Sequence, residues 1–116
     1  MILIVTGSRS ITDKAFIYKC LDDYKIDEIY VGDAVGVDEI TSQYAKERNI
    51  KLKLFPANWE RLGFKAGIIR NKEMVKAGIT AGAYGIAIWD GESKGTYHTI
   101  TLLEGVDRLL RIYKAK

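Results

Sequence analysis

The chain has 116 residues, 18 Lys and Arg against 15 Asp and Glu, a net charge of +3 and an apolar share of 47%. That length holds one domain with one core, and that apolar share excludes a disordered chain. The single Cys excludes an intramolecular disulfide and a cysteine-based metal cluster, and no apolar run approaches the roughly 20 residues that span a bilayer.

Met1 to Val5 is a continuous apolar, β-branched run, the pattern of a strand buried on both faces. It has no basic leader and runs straight into Thr6-Gly7-Ser8-Arg9, so a soluble cytoplasmic protein with no membrane partner is expected. Thr12 or Asp13 caps a helix to about Tyr24, with Phe16, Cys20, Leu21 and Tyr24 on one stripe. Ile29 to Val31 is a second strand, ended by Gly32. A helix from about Val37 to Asn49 follows, with Val37, Ile40, Tyr44 and Ala45 inward. Leu52 to Phe55 is a third strand, and Lys51 and Lys53 mark it as an edge. Ala57 to Phe64 is irregular. A helix runs from about Lys65 to Lys76 or Ala77 and is ended by Gly78. Tyr84 to Trp89 is a fourth strand. Asp90 to Gly95 is a loop, Thr96 opens a helix to about Asp107, and Leu109 to Tyr113 is the last strand.

Strands alternating with helices of this length predict an α/β fold: one Rossmann-like, three-layer domain over residues 1–116, with a mainly parallel five-stranded sheet. In such sheets ligands sit beyond the carboxyl ends of the strands, where the strand order reverses. The segments there are Gly7-Ser8-Arg9, Gly32 to Asp38, and Asp90 to Thr96, and they hold Gly7, Gly32, Gly36, Gly91 and Gly95. Each loop runs into a helix N-terminus, whose free N–H groups and dipole favour an anion. Three such loops on one sheet edge predict a phosphate cradle. Neither a GxGxxG fingerprint nor a Walker A loop is intact. Residues 46–76 carry nine basic residues against three acidic ones, a local excess of +6 that fits an anionic partner, either a phosphorylated small molecule or a nucleic acid.

Several motifs share one likeness. They are Val5-Thr6-Gly7-Ser8-Arg9, Gly32-x-Ala34-x-Gly36-x-Asp38, Phe55-Pro56-Ala57-x-Trp59, Gly63-x-Lys65-Ala66-Gly67-x-x-Arg70-Asn71-x-x-Met74 and Trp89-Asp90-Gly91-x-Ser93-x-Gly95-Thr96. Together they resemble the YspA/YpsA-related branch of the SLOG superfamily, which also holds the LOG phosphoribohydrolases and the DNA-processing SMF/DprA proteins. The resemblance implies a Rossmann-like domain that binds a nucleotide or nucleotide derivative, as sensor or processing protein. It also implies a homodimer or larger oligomer, since LOG-type relatives associate through helices flanking the pocket. Ile68, Ile69 and Met74 give the third helix apolar positions on more than one face. Two departures stand out. The second loop of the branch usually reads Gly-Gly-Ala, whereas Asp33 replaces the second glycine here. The catalytic Glu of the LOG Gly-Thr-x-x-Glu motif is Thr99 in this chain.

The nucleotide-binding candidates are therefore Gly7, Ser8, Arg9, Gly32, Gly36, Asp38, Trp59, Arg70, Asn71, Asp90, Ser93, Gly95 and Thr96. Arg70 binds a phosphate bidentately in this reading, or pairs with Glu73. Asp38 caps its helix or takes a ribose. Ser93 supplies a phosphate or cap hydroxyl. Trp59 stacks on a base, while Trp89 and Cys20 are core residues. His98, in the first turn of its helix, is a candidate base kept neutral by the dipole. Since Thr99 carries no charge, hydrolysis of an N-glycosidic bond would fall to Asp33 or Asp38 and be slow. A single-stranded nucleic-acid binder using Trp59 and the basic segment is the alternative. No cofactor and no metal site is read from the sequence.

Overall fold

The computed structural model describes residues 1–63 and 65–115; Phe64, at the end of the expected irregular segment, and Lys116 lie outside the described residues. The elements are β1 (Ile2–Gly7), α1 (Lys14–Leu21), β2 (Glu28–Gly32), α2 (Val37–Glu47), β3 (Lys51–Phe55), α3 (Trp59–Leu62), α4 (Lys65–Thr80), β4 (Tyr84–Trp89), α5 (Lys94–Gly105) and β5 (Leu109–Lys114). The sheet is five-stranded in the order β3-β2-β1-β4-β5, and every pairing in it is parallel. β3 lies at an edge, as its exposed lysines foretell.

Side chains on β1 alternate between two cores. Leu3 and Val5 face one layer, where they join Ile29, Val31, Ile86 and Ile88 from the sheet and Ile17, Leu21, Val37 and Tyr44 from α1 and α2. Ile4 points the other way, onto Met74, Val75 and Leu103 of α4 and α5. A strand sandwiched like this must be apolar throughout, which is why β1 shows no polar alternation. Each fully buried Leu, Ile or Val is worth roughly 1.5–3 kcal/mol. Met74 thus belongs to the core and Ile69 is half-buried, which leaves Ile68, 48% exposed, as the free apolar position among the three. No helix among the described residues is long and apolar enough to cross a membrane.

Helix ends shift by two or three residues from expectation, and four differences bear on the fold. α1 stops at Leu21 instead of about Tyr24, because Asp23 and Tyr24 turn their N–H groups back to Cys20 and Leu21 and tighten the chain out of the α-helix. The segment expected to be irregular contains α3, capped by the Asn58 side chain on the Arg61 N–H. α4 passes through Gly78 and ends at Thr80. Gly78 sits inside the helix because a Cβ there would fall within 3.0 Å of Ile4. The terminator is Gly82, at φ +82: its N–H bonds Ile79 O at 3.0 Å and the Ala83 N–H bonds Gly78 O at 2.8 Å, a Schellman ending. α5 begins at Lys94 with Ser93 as N-cap, so Thr96 is its third residue.

The chain builds β1, β2 and β3 in one direction, then returns to place β4 on the other side of β1. This reversal leaves a crevice above the carboxyl ends of β1 and β4.

Candidate functional site

A cleft of about 560 Å³ occupies that crevice, a volume within the usual range for small-molecule sites. Its walls come from the loops at the ends of β1, β2 and β4, from the start of α2, and from α3, α4 and α5.

The floor is held together by Ser8. Its N–H donates to Ile88 O at 3.0 Å, its hydroxyl accepts from the Asp90 N–H at 3.0 Å, and its carbonyl accepts from Ile11 and Val37. Fully buried, Ser8 ties the loop after β1 to the loop after β4 and to the start of α2. It stands behind the cleft wall and not in it. Gly36 likewise packs against the Arg9 carbonyl and does not line the cleft.

Asp90 organises the loop after β4. Its carboxylate accepts from Ser10 Oγ at 2.7 Å and from the Glu92 and Ser93 N–H groups at 2.8 Å each. The Ser10 hydroxyl first, and then these backbone donors, hold its carboxyl well below the usual range. That loop delivers the N-terminus of α5. Ser93 Oγ accepts from the Thr96 N–H and meets Thr96 Oγ1 at 3.1 Å, so Ser93 is a cap hydroxyl and Thr96 is buried behind it. The Lys94 and Gly95 N–H groups have no partner among the described residues. Beyond its own turn of helix, no atom of the described residues lies within 4 Å of where a Cβ on Gly95 would stand.

On the opposite wall, Arg70 lies across Gly32. A Cβ on Gly32 would be 2.7 Å from Asp38 Oδ2 and closer still to Arg70 Nη1. Arg70 Nη1 donates to Asp33 Oδ1 at 3.1 Å and to Phe55 O at 3.3 Å, and Nε donates to Asn71 Oδ1 at 2.9 Å. The partner of Arg70 is thus Asp33 and not Glu73. Its Nη2 group alone is left without a protein partner among the described residues. A two-pronged phosphate grip using Nη1 would have to displace Asp33. Asp33 also accepts from the Ala57 N–H at 3.3 Å and does not line the cleft. Asn71, buried, reaches across to Gly95 O and His98 Nδ1 at 3.4 Å each and so ties α4 to α5.

Asp38 is 5% exposed, and Ala34 N–H donates to its Oδ2 at 3.2 Å. Burial pushes its carboxyl up to about 6, partly opposed by the Arg70 guanidinium. His98 lines the cleft from the second turn of α5; burial first, and Lys72 second, lower its pKa and keep the ring neutral near pH 7. The helix dipole is not needed for that effect. Trp59, 46% exposed, lies beside Gly67, with the Arg9 guanidinium 5.8 Å from its ring centroid. Trp89 stays out of the cleft: its indole N–H bonds Ser93 O at 3.0 Å and its ring stacks on Tyr97.

The cleft thus gathers Gly7, Arg9, Gly32, Asp38, Trp59 and Arg70 with Asn71, Asp90, Ser93, Gly95 and Thr96. Thr6, Ser10, Lys94, Gly67 and Ile68 also line it. Gly67 is a fixed position of the Ala66-Gly67-x-x-Arg70-Asn71 motif, and Lys94 is an unspecified position of the Ser93-x-Gly95-Thr96 motif. Ile68 carries no local mark of its position.

A family described as the YspA, cpYpsA-related SLOG family matches residues 1–62, which span β1 to α3. Gene 61 protein of Mycobacterium phage D29 is 34% identical over 107 residues, covering 83% of this chain and 82% of that protein. No solved structure gives a significant match.

Proposed function

The chain belongs to the YspA, cpYpsA-related SLOG family, and from that premise we propose that it binds a nucleotide or nucleotide derivative in the cleft at the carboxyl edge of the sheet. The observation that carries this reading is the open N-terminus of α5. The Lys94 and Gly95 N–H groups have no partner among the described residues, and Lys94, Gly95 and Arg70 line the same cleft. Free N–H donors at a helix N-terminus favour an anion such as a phosphate. Asp90 shapes this end by holding the loop, and Ser93 and Thr96 cap the helix. Arg9 and Trp59 form a cation–aromatic pair at the mouth, suited to the face of a base. Asp33 keeps Arg70 in place over Gly32, while Ser8 and Gly36 fix the loops from behind.

The test is a melting-temperature and calorimetric titration with AMP, ADP and ADP-ribose against adenosine and ribose. Phosphate-bearing ligands raise the melting temperature and the unphosphorylated ones do so far less. No shift with any nucleotide overturns the reading. Filter binding of a single-stranded oligonucleotide across a salt series supplies the contrast, and a steep salt slope there supports the nucleic-acid alternative instead. Light scattering that returns twice the 13.0 kDa chain mass supports the expected homodimer.

One observation favours a second reading, slow release of the base. The Asp38 carboxyl, at about 6, lies in the range where a carboxyl group trades a proton near neutral pH. Asp33, engaged by Arg70 and Ala57, is not free for that task. Chromatography for free base after incubation with AMP decides it: release that survives Asp38→Asn removes Asp38 from the role.

A further inference from the structure

We infer that the cleft selects ribonucleotides over deoxyribonucleotides, with the Asp38 carboxylate accepting hydrogen bonds from the ribose 2′,3′-diol. The inference rests on the nucleotide reading above and adds the identity of the sugar.

Of the polar residues that line the cleft, Arg9, Arg70 and Lys94 have side chains that can only donate, as do the N–H groups of Lys94 and Gly95. Among the described residues lining the cleft, the carboxylates are Asp90 and Asp38. Asp90 is spent on Ser10, Glu92 and Ser93. Asp38 is not spent: one backbone N–H reaches its Oδ2, and its Oδ1 has no partner among the described residues. That Oδ1 opens onto the cleft and is free to accept from a ligand donor. Phosphate oxygens cannot be that donor, because they are themselves acceptors and repel the charge. Neighbouring hydroxyls can, and a vicinal diol presents two of them to one carboxylate.

Position supports the same assignment. Across the carboxyl edge, Trp59 follows β3, Asp38 follows β2, Arg9 follows β1 and the α5 N-terminus follows β4. Asp38 thus lines the same cleft as the Trp59–Arg9 pair and the α5 N-terminus, where one nucleotide would meet all three. Gly32 is what allows the carboxylate to sit there, since any Cβ would crowd Asp38 Oδ2 at 2.7 Å.

Calorimetric titration of the full chain with AMP, GMP, CMP and UMP and with their 2′-deoxy counterparts tests this. The expected result is that the best-bound ribonucleotide is held about tenfold or more tighter than its 2′-deoxy form, the scale of one lost hydrogen bond to a charged group. Asp38→Asn, matched in size, brings that ratio close to one while its circular dichroism stays native. Equal affinity for the two sugars in the unaltered protein overturns the inference and leaves the nucleotide reading standing. A tenfold ratio that persists unchanged in a folded Asp38→Asn protein assigns the discrimination elsewhere and overturns the role of Asp38. Binding of no nucleotide at all overturns both readings together.

Discussion

The two walls of the cleft are built on opposite plans. On the β1–β2 side the strand-end glycines are filled by the protein itself. Gly7 receives the side chain of Val37, Gly32 receives Arg70 and Asp38, and Gly36, at φ +76, lies under the Arg9 carbonyl. On the α5 side Gly95 faces empty space. The first wall is a packed, cross-braced support in which a missing Cβ makes room for a neighbouring element. The second wall keeps that room open. The same residue type at the same kind of loop thus serves assembly on one side and access on the other.

The largest expected effect comes from breaking the packed wall. Gly7→Ala puts a Cβ within 3.0 Å of Cβ and both methyls of Val37, a fully buried residue at the start of α2. Neither β1 nor α2 can shift cheaply, so stability falls by about 3 kcal/mol, at the upper end for overpacking. Denaturant unfolding measures it, and a loss under 1 kcal/mol would show that this wall yields.

Asp38 gives that wall a pH dependence. Its native carboxyl is near 6, above the ordinary 3.8, so between those values the native state holds a proton that the unfolded chain releases. Stability therefore falls as pH rises from about 4 to 6, by about 3 kcal/mol for this group. Asp90 on the other wall works with opposite sign: its depressed carboxyl supports the fold above the ordinary range and loses that support as pH falls. Unfolding curves from pH 3.5 to 7.5 for the wild type and Asp38→Asn isolate the first contribution as their difference. A difference that does not change with pH would remove it.

Arg70→Ala separates binding from support. It takes a cation out of the cleft and leaves Asp33 and Asp38 without their guanidinium neighbour. Affinity for a phosphorylated nucleotide should drop by about 1.5–3 kcal/mol. Unchanged calorimetric affinity in a folded variant would assign Arg70 to the scaffold alone.

The smallest effect on stability belongs to the open wall. Gly95→Ala meets nothing within 4 Å and sits in the first turn of α5, so stability should rise by about 0.5 kcal/mol. Gly95 lines the cleft, so the added methyl should lower nucleotide affinity even as the melting temperature rises. If the two move together, the contrast between the walls fails.

What the sequence determined by itself lies in short-range pattern. Apolar β-branched runs closed by Gly7 and Gly32, and amphipathic stretches between them, specify an alternating α/β chain and so place the functional edge at the carboxyl ends of the strands. Lys51 and Lys53 marked the edge strand, because a strand open to water tolerates charge. The purpose of each glycine and each charge was decided only in three dimensions. Gly78 looks like a helix terminator until Ile4 packs on it, and Gly82 ends the helix instead. Asp33 looks like a charge facing a phosphate, yet it meets Arg70 from 37 positions away; Ser8 looks like a ligand contact, yet it is bound to the Asp90 N–H from 82 positions away. Helix and strand signals act within a few residues, through hydrogen bonds and periodic burial along one segment. Whether a glycine is filled or open, and whether a carboxylate is paired or free, depends on which distant side chain the strand order β3-β2-β1-β4-β5 brings to the same edge.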